Sequence, residues 1–162
     1  MKIQDSVAFV TGAHRGLGLA FTKELLGRGV KKVYAGIRNP NGLDLPGVAP
    51  VKVDVTDRAS VSAAAARCPD ATLLINNAGI GRVNAGALDP ALIDSAREIF
   101  ETNFYGMVRA SQAFAPVLAA NGGGRSSTCC QMRPGLRDDA DSLFGGEIRR
   151  MELHQRPADR RA

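Results

Sequence analysis

Tryptophan is absent from this sequence of 162 residues, and tyrosine occurs only as Tyr34 and Tyr105. Lysine stops at Lys52. Cysteine is sparse: Cys68, Cys129 and Cys130 form an odd set without a Cys-x-x-Cys spacing. That pattern argues against a disulfide framework and against a zinc site. No apolar run approaches the roughly 18 residues that identify a membrane-spanning helix. Met1, Lys2, Ile3, Gln4 and Asp5 reach polar residues before any long apolar stretch, unlike a secretory signal. These absences lead us to expect a reduced, cytoplasmic protein with no metal site and no membrane span.

What is present suits a single domain: 44% of residues are hydrophobic, enough for a core. The net charge of +5 is not gathered into one patch. Arg149-Arg150 and Arg160-Arg161 have acids interspersed and no aromatic stack beside them, so a nucleic-acid partner is not expected. The composition changes abruptly at Arg125. Beyond it the basic residues are all arginine, valine is absent, and Ile148 is the lone isoleucine.

Before that boundary, strands and helices alternate. Val7–Thr11 is a near-continuous apolar run, as in a strand buried on both faces. A glycine-rich turn follows, then Leu17, Ala20, Phe21 and Leu25 at helical spacing, stopped by Gly27-Arg28-Gly29. Lys32–Ile37, Val51–Val55 and Thr72–Asn76 read as further strands. Thr56 or Asp57 is placed to cap an alanine-rich helix over 58–67. Asp89-Pro90 opens a long helical segment reaching about Ala120. The alternation predicts an α/β fold, a Rossmann-type doubly wound parallel sheet. It is expected to be incomplete, with strands 1–4 in the order 3-2-1-4 and later strands missing. Residues 1–124 would form the nucleotide-binding domain, and 125–162 a loosely ordered tail.

Gly12, Gly16 and Gly18 sit between a strand and a helix. In that context Gly12 permits a tight turn, Gly16 lets the backbone approach a pyrophosphate, and Gly18 lets helix and strand pack closely. The helix N-terminus would face the phosphates with unpaired N–H groups. A purely structural glycine turn is the alternative.

The spacing is TGxxxGxG. With Thr11-Gly12-Ala13-His14-Arg15-Gly16-Leu17-Gly18, Asp54-Val55, Asn76-Asn77-Ala78-Gly79 and Glu101-Thr102-Asn103 in order, residues 5–124 resemble the short-chain dehydrogenase/reductase family. The resemblance implies hydride transfer between a nicotinamide cofactor and a small-molecule carbonyl or secondary alcohol. It implies that Thr11, Gly12, His14, Arg15, Gly16, Leu17 and Gly18 hold the dinucleotide. Asp54 would accept from the adenine amino group, with Val55 beside the ring; a strand-end helix cap is the alternative for Asp54. Asn77, Ala78 and Gly79 would border the nicotinamide ribose, and the same motif ties the family's central sheet together. Asn103 would kink its helix and offer its backbone carbonyl to a water in a proton relay. Without the resemblance, an asparagine there reads as solvent-facing. Homo-oligomers form in this family partly through the segment matching 90–120. Here Ile93, Ile99, Met107 and Phe114 are expected to be left facing water.

Charge bears on the cofactor. An acidic residue after the second strand commonly bonds the ribose 2′-hydroxyl of NAD. That place holds Arg38, and Arg15 precedes Gly16. Two guanidinium groups suit a 2′-phosphate, which favours NADP(H) over NAD(H). Ordinary surface arginines are the alternative.

After Gly124 the family continues with a strand ending in a catalytic Ser, then a Tyr-x-x-x-Lys pair. Neither is present, which predicts a chain without catalysis. Residues 125–131 admit codons which, read from one base earlier, give AIVNVLS, the family's fifth strand. The cysteine codons force the shifted Leu. Residues 143–148 read from their second base give YSAAK, with the Tyr-x-x-x-Lys spacing intact. The two stretches need different frames. A frameshifted C-terminal segment is therefore expected, and the alternative is a non-catalytic dinucleotide-binding module with a genuine, divergent tail.

Overall fold

The computed structural model describes residues 3–41, 43–81, 88–122 and 125–128. A short 3-10 turn (Ile3–Asp5) leads into β1 (Val7–Thr11), buried along its whole length. Then come α1 (Gly16–Gly27), β2 (Lys32–Ile37), β3 (Val48–Lys52), α2 (Arg58–Ala66) and β4 (Leu73–Asn76). α3 (Leu92–Ile99), a π-helical stretch (Phe100–Tyr105), α4 (Gly106–Ala120) and β5 (Arg125–Thr128) complete the described chain. The strands form one parallel sheet in the order β3-β2-β1-β4-β5. This is the doubly wound Rossmann-type arrangement that the alternation predicts.

Central β1 is paired on both edges and covered on both faces, which is why it needs an unbroken apolar run. Phe9, Leu74, Val61, Phe114 and Leu118 fill one layer, between the sheet and α2 with α4. The Phe9 and Phe114 rings lie 4.4 Å apart between centroids. Ala8, Val10, Val33, Ile75 and Leu25 fill the other layer, under α1. Cys68 is fully buried in the first layer, and burial above all pushes its thiol up to about 12, so it serves as a core residue. Among the described residues no helix is long and apolar enough to cross a membrane, and no group of three metal-ligating side chains gathers.

The structure corrects several sequence expectations. The third strand is Val48–Lys52, three residues earlier than the Val51–Val55 run. Its ladder with β2 closes where Ile37 ends that strand, opposite Lys52. Val53 and Val55 stay buried beyond it, so the alternation outlasts the pairing. Pro50 disfavours a strand by pattern, yet is admitted because β3 is an edge strand. The helical segment after Pro90 is interrupted by the π stretch. Phe114 is core at 0% exposure, whereas Ile93 is 60% exposed.

One strand lies beyond the four that the alternation predicts. β5 pairs in parallel with β4, Leu73 opposite Arg125 through Asn76 opposite Thr128. β4 is therefore not an edge. Arg-Ser-Ser-Thr carries no apolar signal; the ladder, not the pattern, makes it a strand. The tail expectation for residues 129–162 lies outside the described residues.

Candidate nucleotide-binding site

In open α/β sheets, ligands bind beyond the carboxyl ends of the strands. Here the β1–α1 turn forms the centre of that edge. Gly12 has φ +69° and Gly16 φ +55°, left-handed backbone that side chains disfavour. A Cβ on Gly18 would lie 2.1 Å from the Gly12 carbonyl oxygen, so helix and strand approach as closely as glycine allows. A Cβ on Gly12 would lie 2.9 Å from Ala78 Cα. At Gly16, by contrast, a Cβ would meet nothing within 4 Å. Arg15 precedes α1 in extended conformation, and its side chain makes no capping bond to the helix. The first turn thus keeps its N–H groups and partial positive charge for an external acceptor. His14 and Arg15 are exposed and Leu17 is half-buried.

Thr11 and Asn77 join the ends of β1 and β4. The backbone N–H groups of Asn77 and Ala78 both donate to Thr11 Oγ1, each at 2.9 Å. Asn77 Nδ2 donates to the carbonyls of Thr11 (3.0 Å) and Gly12 (3.3 Å). Gly79 follows, and a Cβ there would meet Asn103 Oδ1 at 3.3 Å.

Asn103 lies in the π-helical stretch and turns inward. Its Oδ1 accepts from the Ile80 N–H at 2.8 Å, and its Nδ2 donates to the Ile80 carbonyl at 2.9 Å. The side chain so occupied anchors the wide helical turn to the segment after Gly79. It is not the solvent-facing residue that a helical asparagine suggests.

Asp54 follows β3. Its Oδ1 accepts from the Thr56 hydroxyl (2.7 Å) and the Thr56 N–H (2.9 Å). The hydroxyl first, then the N–H, then the charge of Arg38 hold this carboxyl below the ordinary carboxylate range against the effect of burial. Both bonds fall on Oδ1, leaving Oδ2 without a partner among the described residues. The helix cap is Asp57, whose Oδ1 accepts from Ala59 N–H at 2.8 Å. Arg38, exposed, directly follows the last residue of β2. Val55 is buried, and a Cβ on Gly106 would lie 2.8 Å from its Cγ2, so it packs against the start of α4.

Thr11, Gly12, Gly18, Asn77 and Ala78 therefore meet directly, Asn103 is tied to the residue after Gly79, and Arg38 lies within electrostatic range of Asp54. Sequence reasoning missed two features. Glu101 and Arg109 form an ion pair at 2.6 Å. Buried Asn76 donates through Nδ2 to Ser111 Oγ at 3.1 Å. Neither spacing carries a sequence signal: Glu101 and Arg109 meet where the π stretch runs into α4, and Asn76 meets Ser111 only when α4 docks on the sheet.

The short chain dehydrogenase family model matches residues 6–130. Short chain dehydrogenase tazN of Aspergillus terreus is 33% identical over 133 residues, 73% of this chain and 29% of that protein. A Burkholderia cenocepacia short chain dehydrogenase solved in complex with NADP is 42% identical with a TM-score of 0.73, covering 79% of this chain and 54% of that one. The NADPH-bound carbonyl reductase from chicken fatty liver is 32% identical with a TM-score of 0.65, covering 76% and 55%. The chain thus spans about half the length of these solved relatives, and less of the fungal one. By its sequence, its sheet order and its glycine turn, this chain belongs to the short-chain dehydrogenase family, whose amino-terminal region it carries.

Proposed function

We propose that this chain is the nucleotide-binding part of an oxidoreductase, that it takes NADP(H) in preference to NAD(H), and that as written it turns over no substrate. The observation that carries the cofactor reading is the uncapped start of α1 behind Gly16, with open space in front of it. A pyrophosphate fits a helix N-terminus of this kind. Gly12 and Gly18 bring the strand and helix close enough to make that cradle, and Thr11 with Asn77 holds its floor. Asp54 Oδ2 remains available to accept from an adenine amino group. Asn77, Ala78 and Gly79 would line the ribose side, and the Asn103 carbonyl would hold a relay water.

Exposed Arg15 and Arg38 supply the cationic side that a 2′-phosphate calls for, and similarity to dehydrogenases solved with NADP and NADPH supports the same choice. When bound, the dinucleotide supplies or accepts the hydride exchanged with a carbonyl or secondary alcohol. Proton transfer in that exchange needs a positioned acid/base, and its loss removes about 10²–10⁴-fold in rate. The sequence carries no Tyr-x-x-x-Lys pair to provide one. Residues from 125 onward read best as an out-of-frame tail, and residues 1–124 as the family domain. The apolar surface at Ile93, Phe100 and Phe104 supports subunit pairing as in the family, and the low cysteine content supports a cytoplasmic setting.

One observation favours a second reading. β5 is a true ladder partner of β4, as expected of a non-catalytic nucleotide-binding module with a genuine, divergent C-terminal segment. The nucleotide sequence of the gene separates the two. Titration with NADPH and NADH tests the cofactor assignment. NADPH should bind more tightly, and replacing Arg15 and Arg38 by Ala should erase the difference, since each charge-assisted contact is worth about 1.5–3 kcal/mol. Equal titration curves on the unmutated protein overturn the preference, and NADPH oxidation at ordinary dehydrogenase rates overturns the claim of inactivity.

A further inference from the structure

Asn121 caps the C-terminal end of α4 and ties it to the loop that leads into β4. Its Nδ2 donates to the carbonyls of Pro69 (2.7 Å), Ala71 (3.2 Å) and Val117 (3.0 Å), the last in its own helical turn. Two amide protons thus serve three carbonyls, a place that only a donor fits. The loop so held begins at fully buried Cys68 and carries Asp70, which pairs with Tyr34 and Lys32. Asn121 itself is exposed, and Gly122 follows it with φ +87°. Asn41 and Asn121 are the two asparagines of the sequence that precede glycine. That neighbour makes an asparagine chemically labile, because no side chain hinders the next backbone nitrogen from reaching the amide carbon. The Gly122 N–H has no acceptor among the described residues, so no bond holds that nitrogen back.

We propose that Asn121 is a modification site, where loss of the side-chain amide unlocks α4 from the entry to β4. The Gly122 nitrogen attacks Asn121 Cγ and gives up its proton. The N–Cγ bond forms, the Cγ–Nδ2 bond breaks, and ammonia leaves with that proton. Water then opens the cyclic imide at either carbonyl, to aspartate or to isoaspartate. Ring closure folds the side chain onto its own backbone, so the three bonds to Nδ2 must break first. Helix ends open locally at little cost, and that opening sets the rate. Either product carries a carboxylate, which only accepts and so meets the carbonyls with no proton to offer. Asp70, between Pro69 and Ala71, adds a like charge. Isoaspartate also lengthens the main chain by a methylene group at the cap. Each opening that ends in reaction therefore leaves the loop before β4 untethered, and exposes Cys68.

The test follows the full chain through incubation at mildly alkaline pH, with peptide mapping that separates aspartate from isoaspartate. Both should accumulate at Asn121 in the native chain, and faster in urea, where nothing holds the amide. Gly122→Ala should slow the reaction, because the added methyl hinders the attack. Asn121→Asp, which reproduces one product, should lower the folding equilibrium constant about tenfold and speed the labelling of Cys68 by iodoacetamide. Asn121→Ala, which loses the donors without adding charge, should cost less. Asn41→Asp should change neither stability nor labelling. Should Asn121→Asp fail to fold, the aged native chain decides: its converted fraction, separated by ion exchange, should label faster at Cys68 than the unconverted one. No product at Asn121 in the native chain throughout an incubation that converts the site completely in urea overturns the proposal. So does an equal rate with and without urea, an unchanged rate in Gly122→Ala, Asn121→Asp no costlier than Asn121→Ala, or equal labelling of the two fractions.

Discussion

Thr11 and Asn77 bond each other twice across the sheet: the Asn77 N–H donates to Thr11 Oγ1, and Asn77 Nδ2 donates to the Thr11 carbonyl. Thr11 Oγ1 also receives the Ala78 N–H. A single buried hydroxyl therefore satisfies two backbone donors where the chain leaves β4. Thr11→Val, nearly the same shape, should cost on the order of 1–3 kcal/mol by leaving those donors unpaired. Thr11→Ser should cost less. Urea denaturation measures both, and equal losses from Val and Ser would show that the hydroxyl is not what holds the two strand ends.

Gly16 and Gly18 should respond differently to alanine, though both belong to one motif. At Gly18 the new Cβ would lie 2.1 Å from the Gly12 carbonyl oxygen, a backbone atom that cannot rotate away. At Gly16 there is room, and the penalty is the left-handed φ of +55°. Gly16→Ala should cost about 1–2 kcal/mol. Gly18→Ala should cost at least about 3 kcal/mol, at the upper end of overpacking losses. Matching denaturation midpoints for the two variants would refute the close approach of α1 to β1.

The far end of the sheet makes an alkaline prediction. Lys32 Nζ donates to the Tyr34 hydroxyl at 2.6 Å, and that hydroxyl donates to Asp70 Oδ1 at 2.7 Å. Burial raises the Tyr34 hydroxyl's pKa, with Asp70 adding to the rise and Lys32 opposing it. The bond to Tyr34 is the leading cause that raises Lys32. Both groups hold their protons more tightly folded than unfolded. Their contribution is complete below the unfolded values of about 10 and is lost as pH rises through the raised folded ones. Stability should therefore fall as pH rises above about 10, and Tyr34→Phe should flatten that fall. Parallel pH profiles for the two proteins would remove the Tyr34 network from the explanation.

The parts of the fold legible in the sequence are those whose signal is local. β1 and β2 are buried along nearly their full length and announce themselves as apolar runs. The glycine turn is legible because left-handed backbone and close approach both demand glycine. β3 was misplaced because Val51, Val53 and Val55 alternate past the point where β2 stops offering partners. β5 is not legible because Arg125, Ser126, Ser127 and Thr128 have no apolar pattern, and their strand is defined by the ladder to β4. The site was legible in its motifs, but not in the bonds that assemble it. Asn103 turning onto Ile80 requires the π stretch, and no residue pattern encodes the additional residue in that turn.

Pro50 gives the sheet a direction. Val33 N–H donates to the Gly47 carbonyl and Val53 N–H to the Ile37 carbonyl, so the odd-numbered residues of this region face β2. The even-numbered ones look outward, and at Pro50, in the middle of β3, there is no N–H to offer. An incoming strand would find a gap in the row of donors it needs. Among the described residues β3 is thus a finished margin, and a neighbouring chain that recruits this sheet edge-to-edge should not do so at β3.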